Sequence, residues 1–205
     1  MSESSREAGH PVPFEEQCVS PRQVYRGAFL DVRCDVVELH DGQQATREYV
    51  VHPGAVMVVP ILADGRLVLE RQYRYPLHRL TIEFPAGKVD AGESGFDCAV
   101  RELAEETGYR AREWAHAGVL HNAAAYSSEG IEIWFARDLQ PGRPSPDVGE
   151  HIEVFTASPQ DLAAWVLDGT VTDAKTMVGL LWLQQWHGGA WGLKWMMADG
   201  PLRPG

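Results

Sequence analysis

Positive charge is what this sequence most lacks: 18 lysines and arginines stand against 29 aspartates and glutamates, a formal net charge of -11. Such a chain is a poor partner for nucleic acid, and no basic stretch or helix-turn-helix segment offsets the balance. Long hydrophobic runs are absent too; nothing approaches the roughly 18 consecutive apolar residues of a membrane span. The opening MSESSREAGHPVP is polar, without the apolar stretch of a secretory signal, and residues 1–13 read as a disordered tail. Cysteine is scarce: Cys18, Cys34 and Cys98 are scattered without CxxC spacing, which argues against a zinc site or disulfide framework and suits a reducing cytoplasm. No internal repeat or low-complexity segment is present. What remains is a globular composition, 44% hydrophobic and 23% charged, with length enough for one substantial core and a small extra subdomain.

Turn and periodicity signals divide the chain. Residues 22–52 read as two or three short antiparallel strands, with His40-Asp41-Gly42 as a hairpin turn between alternating runs. Runs at 56–62 and 66–70 flank Asp64-Gly65, a second hairpin signal, and Leu80 to Phe84 is a short strand entering Pro85-Ala86-Gly87. A helix is expected to begin near Ser94 and to end at Gly108, which suits the left-handed conformation of a helix terminus. Beyond it, 117–120, 131–136 and 152–156 read as strands, and 139–151 (LQPGRPSPDVGEH) as a loop long enough to be functional. Ser158 with Pro159 and Asp161 opens a helix that ends near Gly169. Thr172 caps a final helix to about His187, with Met177, Leu180, Leu181 and Gln184 or Trp182 as its core positions. This order predicts an α/β fold, a mixed sheet with helices on both faces.

The densest signal is GKVDAGESGFDCAVRELAEETGY at residues 87–109. On a helix starting near Ser94, Phe96, Val100, Leu103 and Thr107 share one face, while Glu102, Glu105 and Glu106 gather opposite, within about 100° of one another. Like charges at these spacings weaken an isolated helix by a few tenths of a kcal/mol per pair, roughly, so a positive partner is called for. Mg2+ suits the position, because it takes hard oxygen ligands and binds through carboxylates together with substrate phosphates. Arg101 lies four residues before Glu105 and can neutralise part of the cluster or reach back to Glu93. Gly87 and Gly92 frame a loop where backbone can approach a ligand closely. A bland alternative for three glutamates alone is a solvated acidic face.

Gly87, Glu93, Arg101-Glu102-Leu103, Glu105-Glu106 and Gly108-Tyr109 fill every fixed position of the Nudix box, G-x5-E-x7-R-E-U-x-E-E-x-G-U, a match with accidental odds of about one in a billion. The resemblance covers most of residues 22–187 and points to the ADP-ribose pyrophosphatase branch of the Nudix hydrolases. Its further pieces are Val24-Tyr25-x-Gly27-x-Phe29, Arg47-Glu48, His52-Pro53-Gly54-Ala55-Val56, Gln72-Tyr73-Arg74, Glu83-Phe84-Pro85-Ala86-Gly87 and Asp173-Ala174-Lys175-Thr176. The resemblance implies a Nudix fold at 53–198, preceded at 14–52 by a small antiparallel β subdomain shared across a homodimer. It implies Mg2+, or Mn2+, on the Ala86 carbonyl, Glu102, Glu105 and Glu106, with Arg47, Glu48, Arg74 and Glu83 lining a nucleotide-sugar pocket. Tyr25 or Phe29 would stack on the base, although the bare residues read more simply as core packing. Glu150 is the expected catalytic carboxylate, with Glu105 sharing the role and Asp147 as runner-up. Two departures stand out: Ala123-Ala124-Ala125 where the branch often has proline, and a loop around 146–150 less acidic than usual. The expected reaction is hydrolysis of ADP-ribose to AMP and ribose 5-phosphate. GDP-mannose or another nucleotide sugar is the alternative substrate, and a catalytically silent nucleotide-sugar sensor the alternative of another class.

Overall fold

The computed structural model describes residues 14–147 and 149–198, so the tail expected over 1–13 lies outside the described residues. The chain forms two compact units. One holds the described residues up to His52 together with Ala123–Ser128; the other holds Pro53–Asn122 and the described residues from Glu129 onward.

In the first unit, strands β1 (Gln17–Ser20), β2 (Gln23–Arg26), β3 (Asp31–Glu38) and β4 (Gln44–Val51) form an antiparallel sheet in which β3 pairs with all three others. Strand β1 was not anticipated: its four residues are all exposed, so no apolar alternation betrays it. The expected turn is present, with Gly42 at φ 82° and Leu39 N–H donating to the Gln43 carbonyl at 2.8 Å. Asp35 is the polar pin of the unit, accepting from the Arg22 backbone N–H at 2.9 Å and from the Tyr49 hydroxyl at 2.8 Å. The Ala123–Ser128 segment ties to the end of β4, where Val50 N–H donates to the Tyr126 carbonyl and Ser128 N–H to that of Val50.

The second unit runs β5 (Ala55–Pro60), β6 (Leu67–Arg74), β7 (Arg79–Glu83), β8 (Ala86–Lys88), α1 (Gly95–Thr107), β9 (Arg110–Leu120) and β10 (Ile131–Gln140). Then come β11 (Ile152–Ala157), α2 (Pro159–Leu167), α3 (Ala174–His187) and β12 (Met196–Met197). Two sheets result: a mixed one of order β12-β9-β10-β5-β8, with β5 and β10 parallel, and an antiparallel one of order β11-β6-β7. Alternation along β5 explains the layering. Val56 and Val58 pack with Trp114, Trp134 and Ala136 against Cys98, Ala99 and Leu103 of α1. Met57 and Val59 point the other way, into a core shared with Leu67 and Leu69 of β6, Leu162 of α2 and Leu180 and Leu183 of α3. The mixed sheet is therefore covered by helix on both faces, as expected, with the smaller sheet sharing one side.

The Asp64-Gly65 turn forms, Gly65 at φ 84° and Leu62 N–H on the Arg66 carbonyl, yet β5 and β6 do not make a regular hairpin. They share a single bridge, Ile61 to Leu67, because both edges of β5 are already taken by β10 and β8. Helix α3 also differs from expectation. Its N-cap is Asp173, whose side chain accepts from Thr176 N–H, and its inner face is Thr176, Gly179, Leu180 and Leu183, leaving Met177 and Leu181 exposed. A helix apolar all round leaves its inward face to packing, and Gly179 decides it: a Cβ there would lie 2.7 Å from the Met57 methyl and 3.2 Å from the Phe84 ring.

Candidate active site

The box helix is fixed at both ends by its own sequence. Ser94 Oγ accepts from Asp97 N–H at 3.1 Å, and Gly108 closes the helix at φ 75°, donating to the Ala104 carbonyl. The bland alternative of a solvated acidic face does not hold. Glu102 and Glu106 are only 9% and 4% exposed, turned in beside Leu103, and Glu105 is the more open member of the three. The reason is the backbone opposite. Ala86 N–H donates to Glu106 Oε2 at 2.9 Å, and a Cβ on Gly87 would lie 1.9 Å from the Glu102 carboxylate. Only glycine lets that carboxylate rest on β8.

Arg101 does both things the sequence allowed. It holds Glu93 with two nitrogens, each at 2.9 Å, and reaches Glu102 at 2.7 Å and Glu105 at 3.0 Å. Its bond keeps the Glu93 carboxyl at about 2. Glu106 and Glu102 go the other way: burial raises both, and for Glu106 the charges of Glu70 and then Glu102 add to it, while Arg101 opposes the rise at Glu102.

Strands β6 and β7 bring a second set of charges. Arg74 grips Glu83 bidentately at 2.8 and 2.7 Å, Thr81 donates to it at 2.6 Å, and Lys175 of α3 reaches it while also holding Asp173 at 3.0 Å. Burial alone would raise the Glu83 carboxyl, but Arg74 and Lys175 hold it at about 2. Phe84, the next residue, is anchored by its N–H on Thr176 Oγ1 at 3.0 Å, so α3 positions the turn into Ala86. Directly across the ladder from Glu83 stands Glu70, fully buried, and sequence reasoning missed it. Its signal was one carboxylate ending the apolar run Leu67-Val68-Leu69 on a strand buried on both faces. Lys175 belongs to the Asp173-Ala174-Lys175-Thr176 piece, but its burial against Glu83 has no sequence signal.

The loop expected at 139–151 begins after Gln140, because β10 runs longer than its apolar stretch. It docks on the end of the box helix: Ser145 N–H donates to the Glu105 carbonyl at 2.7 Å, and a Cβ on Gly108 would meet the loop backbone at Pro144. Glu150 and Asp147 are both exposed there. A groove of about 370 Å³ opens beside Glu150, with Arg71, Leu80 and His151 among its walls.

Four of the expected pocket residues belong to the first unit. Arg47 is exposed and paired with Glu16 at 2.8 Å, and Glu48 is exposed on the same strand. Tyr25 and Phe29 are 56% and 63% exposed, so the simpler expectation of core packing fails for both. Arg74 and Glu83 stand in the second unit with the box, holding each other.

The donor set suits a divalent cation. It is all oxygen, it lies in a backbone cradle that a Cβ would fill at Gly87, and neither oxygen of the buried Glu70 has a hydrogen-bond partner. Among the described residues no three acidic, His or Cys side chains are already gathered as a metal cage. Arg101 holds Glu102 and Glu105 in this arrangement.

Comparison with known proteins bears on this geometry. Residues 51–197 match the NUDIX domain, and residues 16–50 match the nucleoside diphosphate sugar hydrolase N-terminal domain. The ADP-ribose pyrophosphatase of Bacillus subtilis strain 168 is 33% identical over 173 residues, 83% of this chain and 94% of that protein. The methanol dehydrogenase activator of Bacillus methanolicus is 31% identical with the same coverage. A crystal structure of an ADP compounds hydrolase superposes with a TM-score of 0.78 at 26% identity, over 88% of this chain and 98% of that one. Motif, fold and relatives agree: this chain belongs to the Nudix family of hydrolases, in its ADP-ribose pyrophosphatase-like branch.

Proposed function

We propose that this enzyme hydrolyses the diphosphate bond of a nucleoside diphosphate sugar with Mg2+ or Mn2+ bound, and that ADP-ribose, cleaved to AMP and ribose 5-phosphate, is the preferred substrate. The single observation that carries the reading is the burial of Glu102 and Glu106 against the backbone of Ala86 and Gly87. The Ala86 carbonyl, Glu102, Glu106 and Glu105 would hold the cation, which when bound neutralises diphosphate charge and makes a water more acidic.

The chain's own groups do the rest. Glu150 orients the attacking water and takes its proton; its place on a loop beside an open groove gives it access to substrate. Arg74 spends Nε and Nη2 on Glu83 and turns the remaining edge of its guanidinium to the substrate phosphates, while Lys175 keeps Glu83 ionised so that Arg74 stays put. Such local cations matter in a chain of formal charge -11, which otherwise repels a diphosphate.

Residues 14–52 serve as a dimer-forming subdomain and 53–198 as the catalytic domain. The exposed apolar side chains of the first unit (Val19, Val24, Tyr25, Phe29, Leu30) suit coverage by a second copy. In that dimer Arg47, Glu48 and one of the two aromatics complete the nucleotide pocket. Light scattering of the purified protein is expected to give twice the chain mass. A panel of dinucleotides and nucleotide sugars, assayed with Mg2+ and with Mn2+, is expected to favour ADP-ribose. Faster cleavage of GDP-mannose would keep the chemistry and replace the sugar.

A further inference from the structure

Glu70 is the charged residue of this site that the box does not explain. It is 0% exposed, and among the described residues its two carboxylate oxygens are the buried side-chain polar atoms without a hydrogen-bond partner. An ionised carboxylate in that condition costs several kcal/mol, roughly, and a valine in its place would cost nothing comparable. Its ladder partner Glu83 shows how the fold treats such a group when the role is structural: two cations and a hydroxyl converge on it. The same cations are spent. Arg74 has both its inner nitrogens on Glu83, and Lys175 is shared between Glu83 and Asp173.

What Glu70 faces is more negative charge. Glu70 stands directly across the ladder from Glu83, whose chain runs through Phe84 and Pro85 to Ala86, and the Ala86 N–H holds Glu106. Glu83 and Glu150 repel Glu70, and Lys175 and Arg74, already engaged by Glu83, offset this only in part. Three carboxylates from two elements, Glu70 on β6 and Glu102 and Glu106 on α1, thus share a region served by one backbone N–H and one guanidinium nitrogen.

We propose that Glu70 is a further ligand of the divalent cation, a carboxylate delivered from β6 to the cluster that Glu102 and Glu106 form on the box helix. The inference rests on the reading that this cluster holds a cation. A third inward carboxylate raises the charge count of the site, the main determinant of affinity for a hard cation. It also makes the cation a cross-link between α1 and the β6 sheet, so binding stabilises the fold by mass action.

The test uses full-length protein stripped with chelator, without nucleotide. Mn2+ is titrated while free Mn2+ is followed by electron paramagnetic resonance, and the thermal midpoint is read in EDTA and in Mn2+. Glu70→Gln and Glu70→Val are each expected to weaken Mn2+ binding about tenfold or more and to shrink the Mn2+-induced rise in midpoint. In EDTA Glu70→Val is expected to melt at or above the wild-type temperature, since an unpartnered buried carboxyl is gone. Glu106→Gln serves as the reference. If it loses Mn2+ while both Glu70 variants bind like wild type, Glu70 is no ligand and the box reading stands. If wild-type protein takes up no Mn2+ at all, the box reading fails and the role of Glu70 falls with it.

Discussion

Arg101 and Arg74 grip their glutamates in the same way, with Nε and Nη2 on the two oxygens of Glu93 and of Glu83, yet their surroundings have opposite arithmetic. Around Arg101 one cation serves three carboxylates, Glu93, Glu102 and Glu105. Around Glu83 two cations, Arg74 and Lys175, meet two carboxylates, Glu83 and Asp173. The balanced network is a clamp that holds the turn into Ala86. The unbalanced one leaves a surplus of negative charge beside the same turn, and that surplus is what the proposed cation would offset. On the proposed function, stability and chemistry fall to neighbouring clusters, distinguishable by charge count.

That contrast can be broken from either side. The largest effect is expected from Glu106→Gln, which removes a buried carboxylate from the surplus: kcat should fall by about a thousandfold or more while circular dichroism stays unchanged. Near-normal turnover would remove Glu106 from the metal assignment. Gly87→Ala comes next, since its methyl would occupy the space of the Glu102 carboxylate; a loss in kcat of about a hundredfold is expected, read with substrate saturating. On the balanced side, Lys175→Met leaves Glu83 short of a partner in a buried position, with an expected cost of about 3 kcal/mol in urea unfolding. Arg101→Ala, whose partners are more open, should cost about 1 kcal/mol and act chiefly on activity. The reverse ordering of these two in stability would overturn the division of labour.

The smallest effect is pH-dependent. The Glu83 carboxyl is held at about 2, below its ordinary 4.5, so its contribution is fully present above pH 4.5 and is lost as pH falls towards 2. Unfolding free energy in EDTA should drop over that window, and Glu83→Gln should flatten the drop. An unchanged slope in the variant would show that the Arg74–Glu83 pair does not set acid stability.

Much of this was legible from residues alone, for identifiable reasons. Helix ends carry local chemistry: Ser94, Gly108 and the Ser158–Asp161 capping box act within one turn, so α1 and α2 begin and end near the expected places. The box glutamates were legible because their spacing is the signal. What escaped depends on partners distant in sequence. Strand β8 has three residues and exists through pairing with β5, and β12 through pairing with β9. The rotation of α3 followed from one glycine against Met57 and Phe84, and the inward turn of Glu102 and Glu106 from a backbone cradle that no helical wheel contains. Glu70 sat in plain view as a charge in an apolar strand, yet its meaning needed the ladder that sets it against Glu83.

The docking of the loop stem on the box helix has a practical corollary. Because Ser145 is tied to the Glu105 carbonyl and Gly108 and Gly142 abut at their backbones, the connection is anchored like a post up to Ser145, with Glu150 beyond it. Engineers wishing to retune which leaving group this catalyst accepts should therefore vary Pro146, Asp147 and His151, beyond the post. Edits before Ser145 would unseat the helix end itself and confound selectivity with collapse of the whole centre.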